Sequence, residues 1–398
     1  MSGSRTPHGV DTVEDVVIFQ SLRSLMLTHA TTVKRNFKRG SMAHAPITSR
    51  PVRGAIFGYG SIGPVHMMSV LGYTEDHTDR IPDVDIVAVA EPIAERVARV
   101  PEGIKRVRDY QTAIQTIRID VAHICLPHSM HAAAVIAAAE AGINIICEKP
   151  MALNAAEAQT MLDAVKANGV RFSLISQNRL NPEKAWLKER VAAGDLGTIK
   201  RIDWEVDWFR SAAYYADSGG WRGRDSDARG GALSNQAYHT LDLAMWLADA
   251  PVVEVTATTS IDRTVHPDID VPDRLEGELR FANGIRTKFL ATVCGNPKDI
   301  IRLEVTGNRN SSAPMHIVVD ATQIIEQNVA EETPQFGGNG PVLGKACYGT
   351  SHQENIARSY EAFIDGTEVP VTAEDGIRVL RVIDAILESN GNPVAISS

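Results

Sequence analysis

The sequence predicts an α/β protein in two parts, a doubly wound parallel sheet followed by a region dominated by antiparallel strands. Three observations carry this. Between residues 52 and 150, short apolar strands alternate with helical stretches, the pattern of a parallel sheet with helices on its faces. A glycine-rich turn, GYGSIG, sits between the first strand and its helix. Further on, VVEVTATTS, RLEGELRFANGIRTKFLATV and RLEVTGNR read as antiparallel strands, with Asn283-Gly284 as a hairpin turn.

At 398 residues the chain exceeds the roughly 250–300 at which single cores stop growing, so two domains are expected. Residues 1–50 read as an N-terminal extension, 51–172 as the first domain and 173–398 as the second. The extension holds an amphipathic stretch and then GSMAHAPITSRP; a secretory signal fits it poorly, and residues 1–41 are expected to be an appendage without a catalytic role. A net charge of −9 argues against a nucleic-acid partner. No run approaches the ~18 apolar residues of a membrane span. The four cysteines, Cys125, Cys147, Cys294 and Cys347, lack CxxC spacing, which suits a reducing, cytoplasmic setting with all four as buried packing residues.

In order along the chain, VRGAIF is a strand and Gly58, Gly60 and Gly63 form a GxGxxG turn into a helix. The first glycine permits the tight turn, the second lets backbone approach a pyrophosphate, and the third lets helix pack on strand. The helix start, with Ser61 and Ile62, offers free N–H groups to phosphate. VDIVAVAE ends in Glu91, where a dinucleotide fold places a carboxylate on the ribose hydroxyls; its distance from Gly60 exceeds the usual ~20 residues, which the polar loop TEDHTDRIPD explains. Like-charge repulsion between Glu91 and a 2′-phosphate favours NAD, while Arg96 keeps NADP open. VAHICLP and INIICEKP are the next strands, the first followed by the helix HSMHAAAVIAAAEAG. Gly58, Glu91, Leu126, Pro127, Glu148 and Lys149 therefore converge at the carboxyl ends of one sheet, with His128 and His131 at the following helix start as further cofactor contacts. HSMH is too sparse a ligand set to predict a metal.

The second part supplies a pocket. Alternation in IDWEVDWF puts Ile202, Trp204, Val206 and Trp208 on one face, as core. Asn178 and Arg179 follow a strand end and are candidate substrate contacts, as are Trp221 and Arg222 in the arginine-rich loop WRGRDSDARGG, where Asp225 and Asp227 compete for the arginines. The stretch GGALSNQAYHTLDLAMW reads as a helix on which Asn235, His239 and Asp242 share a face, with Tyr238 beside them as a hydroxyl contact. HQENIARSYEAFIDG and TAEDGIRVLRVIDAILES are closing amphipathic helices.

GYGSIG, LPHSMHAAAVIAAAEAGINIICEKPMA and GGALSNQAYHTLDLAMWL together resemble the Gfo/Idh/MocA family of nicotinamide-dependent oxidoreductases, from about Val52 to the C-terminus. The resemblance implies an N-terminal Rossmann domain, a C-terminal α/β domain with a large open sheet, NAD or NADP, and a sugar-like or cyclitol substrate. It implies a homodimer or homotetramer through that sheet, Lys149 as the active-site lysine and His239 as the acid/base. Asn235 departs from the aspartate that many members carry there, although some nucleotide-sugar 3-dehydrogenases look similar in having Asn-Gln.

The chemistry agrees. Moving a hydride from a carbinol carbon requires the hydroxyl proton to leave. His239 suits that base, worth on the order of 10²–10⁴ in rate. Lys149 can stabilise the developing oxyanion, Asp242 could hold the imidazole tautomer, and Asn235 could orient the substrate hydroxyl or the lysine. The expected activity is an NAD(P)-dependent dehydrogenase or ketoreductase acting on a sugar, glycoside, cyclitol or nucleotide sugar. A glycoside-cleaving enzyme using transient oxidation and a non-catalytic sensor are the alternatives.

Overall fold

The structure is a computed structural model that describes residues 46–73, 79–295, 297–308, 314–334, 336 and 351–397. The expected appendage at residues 1–41, the first half of the polar loop after Tyr73, and Cys347 lie outside them.

The first sheet contains β1 (Val52–Phe57), β2 (Val84–Ala90), β3 (Lys105–Val107), β4 (Val121–Ile124), β5 (Asn144–Cys147) and β6 (Phe172–Leu174) in the order β3-β2-β1-β4-β5-β6. Every pairing is parallel. This is the doubly wound dinucleotide-binding order, whose chain reversal between β1 and β4 opens a crevice at the strands' carboxyl ends. Helices α1 (Gly63–Leu71), α2 (Tyr110–Thr116), α3 (His131–Glu140) and α4 (Ala155–Ala167) cover its faces. Asp109 and Asn154 cap α2 and α4 by accepting from the N–H groups of Thr112 and Glu157. The strands read as continuous apolar runs because both faces are buried. Their sheet runs to Leu174, two residues past the expected boundary.

After α5 (Pro182–Ala192) comes an eight-stranded sheet of β7 (Thr198–Asp207), β8 (Val252–Ser260), β9 (Arg274–Phe281), β10 (Arg286–Thr292), β11 (Ile300–Asn308), β12 (Met315–Val319), β13 (Ile324–Gln327) and β14 (Val394–Ala395). All pairings are antiparallel except β7 with β10, so the sheet is mainly antiparallel, as expected. Gly284, at φ +86°, makes the hairpin between β9 and β10. On β7, Ile202, Trp204 and Val206 are buried, and Trp208 just beyond is too. Arg201 and Asp203 on the opposite face pair at 2.8 Å, one of several charged rungs that include Arg280–Glu254 and Lys288–Glu278. Helix α6 (Tyr238–Ala248) packs on the apolar face.

The closing helices are α7 (His352–Asp365) and α8 (Ala373–Ser389), the latter capped by a Thr372–Asp375 capping box. Helix α7 returns to the first domain: Ile356, Tyr360 and Phe363 share a core with Val52, Ile56, Met67 and Val70. Part of the chain after residue 173 therefore packs against the first sheet and α1. Cys125 and Cys147 are buried, whereas Cys294 is only half-buried, in contact with His266. No helix among the described residues is long and apolar enough to cross a membrane.

Candidate active site

The glycine turn is built for close approach. Gly58 adopts φ +94°, and a Cβ there would overlap the Cys125 carbonyl; one on Gly63 would overlap the Gly58 carbonyl. A Cβ on Gly60 would find its nearest neighbour, the Arg96 guanidinium, only at 3.8 Å, so this backbone faces open space. Ser61 is exposed and Ile62 half-buried. Helix α1 begins without a side-chain cap, leaving its first N–H groups to a phosphate. The turn therefore fits a dinucleotide pyrophosphate.

Glu91 is turned under this turn instead of standing open. It is 4% exposed, and its oxygens accept from the N–H groups of Tyr59 (2.7 Å) and Ile93 (3.1 Å). Arg96 lies 3.7 Å away and also reaches Ser218 Oγ at 3.0 Å in the second domain. Glu91 thus shapes the cofactor turn through backbone, which the sequence reading did not foresee.

Across the crevice, Lys149 precedes a cis Pro150 and donates from Nζ to the Asn235 carbonyl at 3.0 Å. Residues 233–237 form a π-turn leading into α6, not the continuous helix expected. The extra residue per turn breaks the simple Asn235–His239–Asp242 stripe, and such turns recur at functional sites. Asn235 meets Lys149 through its backbone, while its amide donates back to Gly231 O at 3.1 Å. One helical turn on, His239 is 6% exposed, and its Nδ1 has no hydrogen-bond partner among the described residues. Burial, then the positive charge of Lys149, push its pKa well below the usual histidine range. Lys149 and His239, from different domains, therefore share one electrostatic neighbourhood.

Other expected residues fall into two groups. Facing the same region, His128 has an unpartnered Nδ1 among the described residues and packs edge-on to Trp221 at 4.9 Å. Arg222 lies over the Trp221 and Tyr214 rings at 4.7 and 5.1 Å, and Asn178 is buried with its Oδ1 unpartnered among the described residues. Leu126 and Pro127 are half-exposed at the end of β4. The remaining residues do structural work. His131 is 1% exposed, with its ring nitrogens at 2.8 and 2.9 Å from the Leu126 and Pro150 carbonyls, so it pins two crevice turns together and is not an open cofactor contact. Tyr238 is fully buried in the core, which corrects its reading as a substrate hydroxyl. Asp242 does not hold the imidazole. It accepts from Ser176 Oγ (2.6 Å) and Arg179 Nε (2.8 Å), so Arg179 is bound into a buried ion pair. Of the loop arginines, Arg224 is held by Asp227 and Arg229 by Asp384, while Arg222 lies 3.7 Å from Asp217 and beside the Trp221 and Tyr214 rings.

Glu148 corrects the sequence reading most. Its Oε1 lies 3.0 Å from both His66 Nε2 and His352 Nε2, and its Oε2 accepts the Lys149 N–H at 3.1 Å. His66 follows the glycine turn and His352 opens α7, 204 residues from Glu148. No spacing rule links positions so distant, so sequence reasoning missed both. The ligand atoms of His66, Glu148 and His352, like those of His266, Asp273 and Cys294, lie within 4.8 Å of one another. In each group, hydrogen bonds already join the members.

Comparison with known proteins finds two family profiles in the chain, one described as an oxidoreductase family with an NAD-binding Rossmann fold over residues 52–176, the other as a GFO/IDH/MocA C-terminal domain over 185–312. A levoglucosan dehydrogenase from Pseudarthrobacter phenanthrenivorans is 28% identical over 359 residues, covering 78% of this chain and 88% of that protein. The solved structure of a levoglucosan dehydrogenase with NADH and levoglucosan superposes with TM-score 0.74 at 25% identity, covering 87% of this chain and all 100% of that one. The WlbA dehydrogenase of Bordetella pertussis, solved with NADH and UDP-GlcNAcA, matches in fold with TM-score 0.74 at 23% identity, covering 87% of this chain and 99% of that one.

Proposed function

Because the chain belongs to the Gfo/Idh/MocA family of NAD-binding oxidoreductases, we propose that it moves a hydride between nicotinamide and a secondary alcohol or ketone of a sugar, glycoside, cyclitol or nucleotide sugar, with His239 as acid/base and Lys149 assisting. The observation that carries this is the Lys149 Nζ bond to the carbonyl of Asn235, one turn before His239, with the lysine charge lowering the basicity of the imidazole. The dehydrogenases named above support the substrate class.

The nicotinamide, when bound, supplies the hydride acceptor or donor. The remaining chemistry belongs to the chain. For oxidation, the neutral His239 imidazole takes the hydroxyl proton, and its lowered pKa keeps it neutral at physiological pH. Lys149 donates to the same oxygen as carbonyl character develops, offsetting its growing negative charge. His128, Trp221, Arg222 and Asn178 orient the ring and its hydroxyls. The charged outer face of the second sheet is the surface for a homodimer or homotetramer, and a monomer mass by light scattering would refute it.

Screening sugars, inositols, glycosides and nucleotide sugars with NAD and NADP, read by nicotinamide fluorescence, tests the proposal. Substrate-dependent NADH or NADPH formation that His239→Ala abolishes supports it. Release of free aglycone without net NADH would favour glycoside cleavage, and cofactor binding without turnover would refute the enzyme reading.

A further inference from the structure

Glu148 anchors a chain of buried groups that the proton step above does not use. From its carboxylate the chain runs to His66 Nε2, then from His66 Nδ1 to His123 Nδ1 at 2.9 Å, then from His123 Nε2 to the Tyr360 hydroxyl at 2.7 Å. His66, His123 and Tyr360 are fully buried, and His352, on the other side of Glu148, is 5% exposed.

The proton positions follow from pairing alone. With Glu148 ionised, both imidazoles facing it donate, so His66 carries its proton on Nε2 and leaves Nδ1 bare. His123 must then donate from Nδ1, and Tyr360 must donate to the bare His123 Nε2. Every contact is satisfied with two neutral histidines and one carboxylate. The electrostatics agree: burial lowers the basicity of His66 and His123, while burial of Glu148, which alone would favour its neutral form, is outweighed by His352 and His66. A buried network satisfied at every atom holds its members in one arrangement.

We propose that His352 is a positioning residue for the reaction, donating to Glu148 and so fixing the carboxylate whose second oxygen holds the Lys149 backbone. Glu148 has one oxygen on two imidazoles and the other on the Lys149 N–H, immediately before the turn that carries the Lys149 side chain to Asn235. Without the His352 donor, the carboxylate keeps only His66 on that oxygen and the turn is held from one side. Helix α7, late in the chain, thereby aligns a lysine two residues past β5. The inference rests on the reading of Lys149 and His239 as the reacting pair.

The charged and titratable groups acting on this cluster are Lys149, His128, His131 and His239 around the crevice, His66 on α1, His352 on α7, and the Cys125 and Cys147 thiols on the β4 and β5 ends. Among these, Glu148 raises the basicity of His239, and His352 and Lys149 lower it.

Two variants separate geometry from charge. His352→Leu removes the donor, whereas His352→Gln keeps an amide N–H of similar reach without any charge. The Leu variant should lose about tenfold in kcat through the misplaced lysine, with NADH affinity within about twofold, and the Gln variant should recover most of that loss. In both, the acid limb of kcat/KM for oxidation should move to higher pH, because His352 is one of the groups that lower the basicity of His239. Ser359→Ala, on the same helix and bonded to Ser173 outside the network, should move neither. Parallel losses in Leu and Gln variants that track melting temperature, with the acid limb fixed, would overturn the proposal.

Imidazole nitrogen resonances of the wild-type NADH complex give a reading independent of turnover and of variant folding. Protons on His352 Nε2, His66 Nε2 and His123 Nδ1 are expected, and a bare His352 Nε2 overturns the assignment. A wild type that turns over no candidate substrate would instead count against the function proposed above, while the resonances still report on His352.

Discussion

Asp242→Asn separates two roles for one carboxylate. Asp242 is 1% exposed and accepts from Ser176 Oγ and from Arg179 through two nitrogens, and none of these bonds comes from His239. Burial alone would loosen the Arg179 proton, and Asp242, with Asp375 at 3.5 Å, more than reverses this. Removing one partner of a buried pair strands the other, at about 3–5 kcal/mol. Asp375 remains and the Arg179 side chain is 10% exposed, so the lower end, about 3 kcal/mol, is expected. Spread over a chain of 398 residues, that corresponds to roughly 4 °C in melting temperature. Thermal and urea melts should show the loss, while NADH affinity and the acid limb of kcat/KM stay in place. A kcat loss of two orders of magnitude with unchanged stability would refute the reasoning and return Asp242 to the imidazole.

The remaining predictions concern the crevice. His239→Ala should lower kcat by roughly 10²–10⁴ with NADH affinity unchanged by fluorescence titration. The neutral imidazole is the active form in oxidation and burial lowers its pKa, so the rate is full above that pKa and falls only as pH drops through it; the acid limb should lie below 6.5. Gly63→Ala, whose Cβ would overlap the Gly58 carbonyl, should weaken NADH binding on the order of tenfold, ~1.4 kcal/mol, and an unaltered dissociation constant would contradict the packing role of this glycine.

Much of the fold was legible because its elements are local. The β8 strand, the Asn283-Gly284 hairpin and the two closing helices are written in periodicity and turn chemistry within a dozen or so residues. The crevice glycines and Lys149 were legible for the same reason, since a strand end names its own position in a parallel sheet. Partners across the chain were not. Asp242 lies three residues from His239 on the same regular helix, yet the proximity of Ser176 and Arg179 settles its partners in space. Glu91 reads from sequence as a ribose contact alone because nothing in VDIVAVAE says that the Tyr59 N–H lies within 2.7 Å. Tyr238 looked polar beside His239, but consecutive residues on a helix face different ways, and its way is inward.

The return of α7 bears on how the molecule is made. Ile356, Tyr360 and Phe363 fill the interior of the nucleotide half, so a fragment ending at Leu174 would present water with the apolar surface they cover. On the ribosome, that half cannot close until almost the whole polypeptide has emerged, and shortening the C-terminus before α7 should abolish nucleotide binding although the glycine turn is intact.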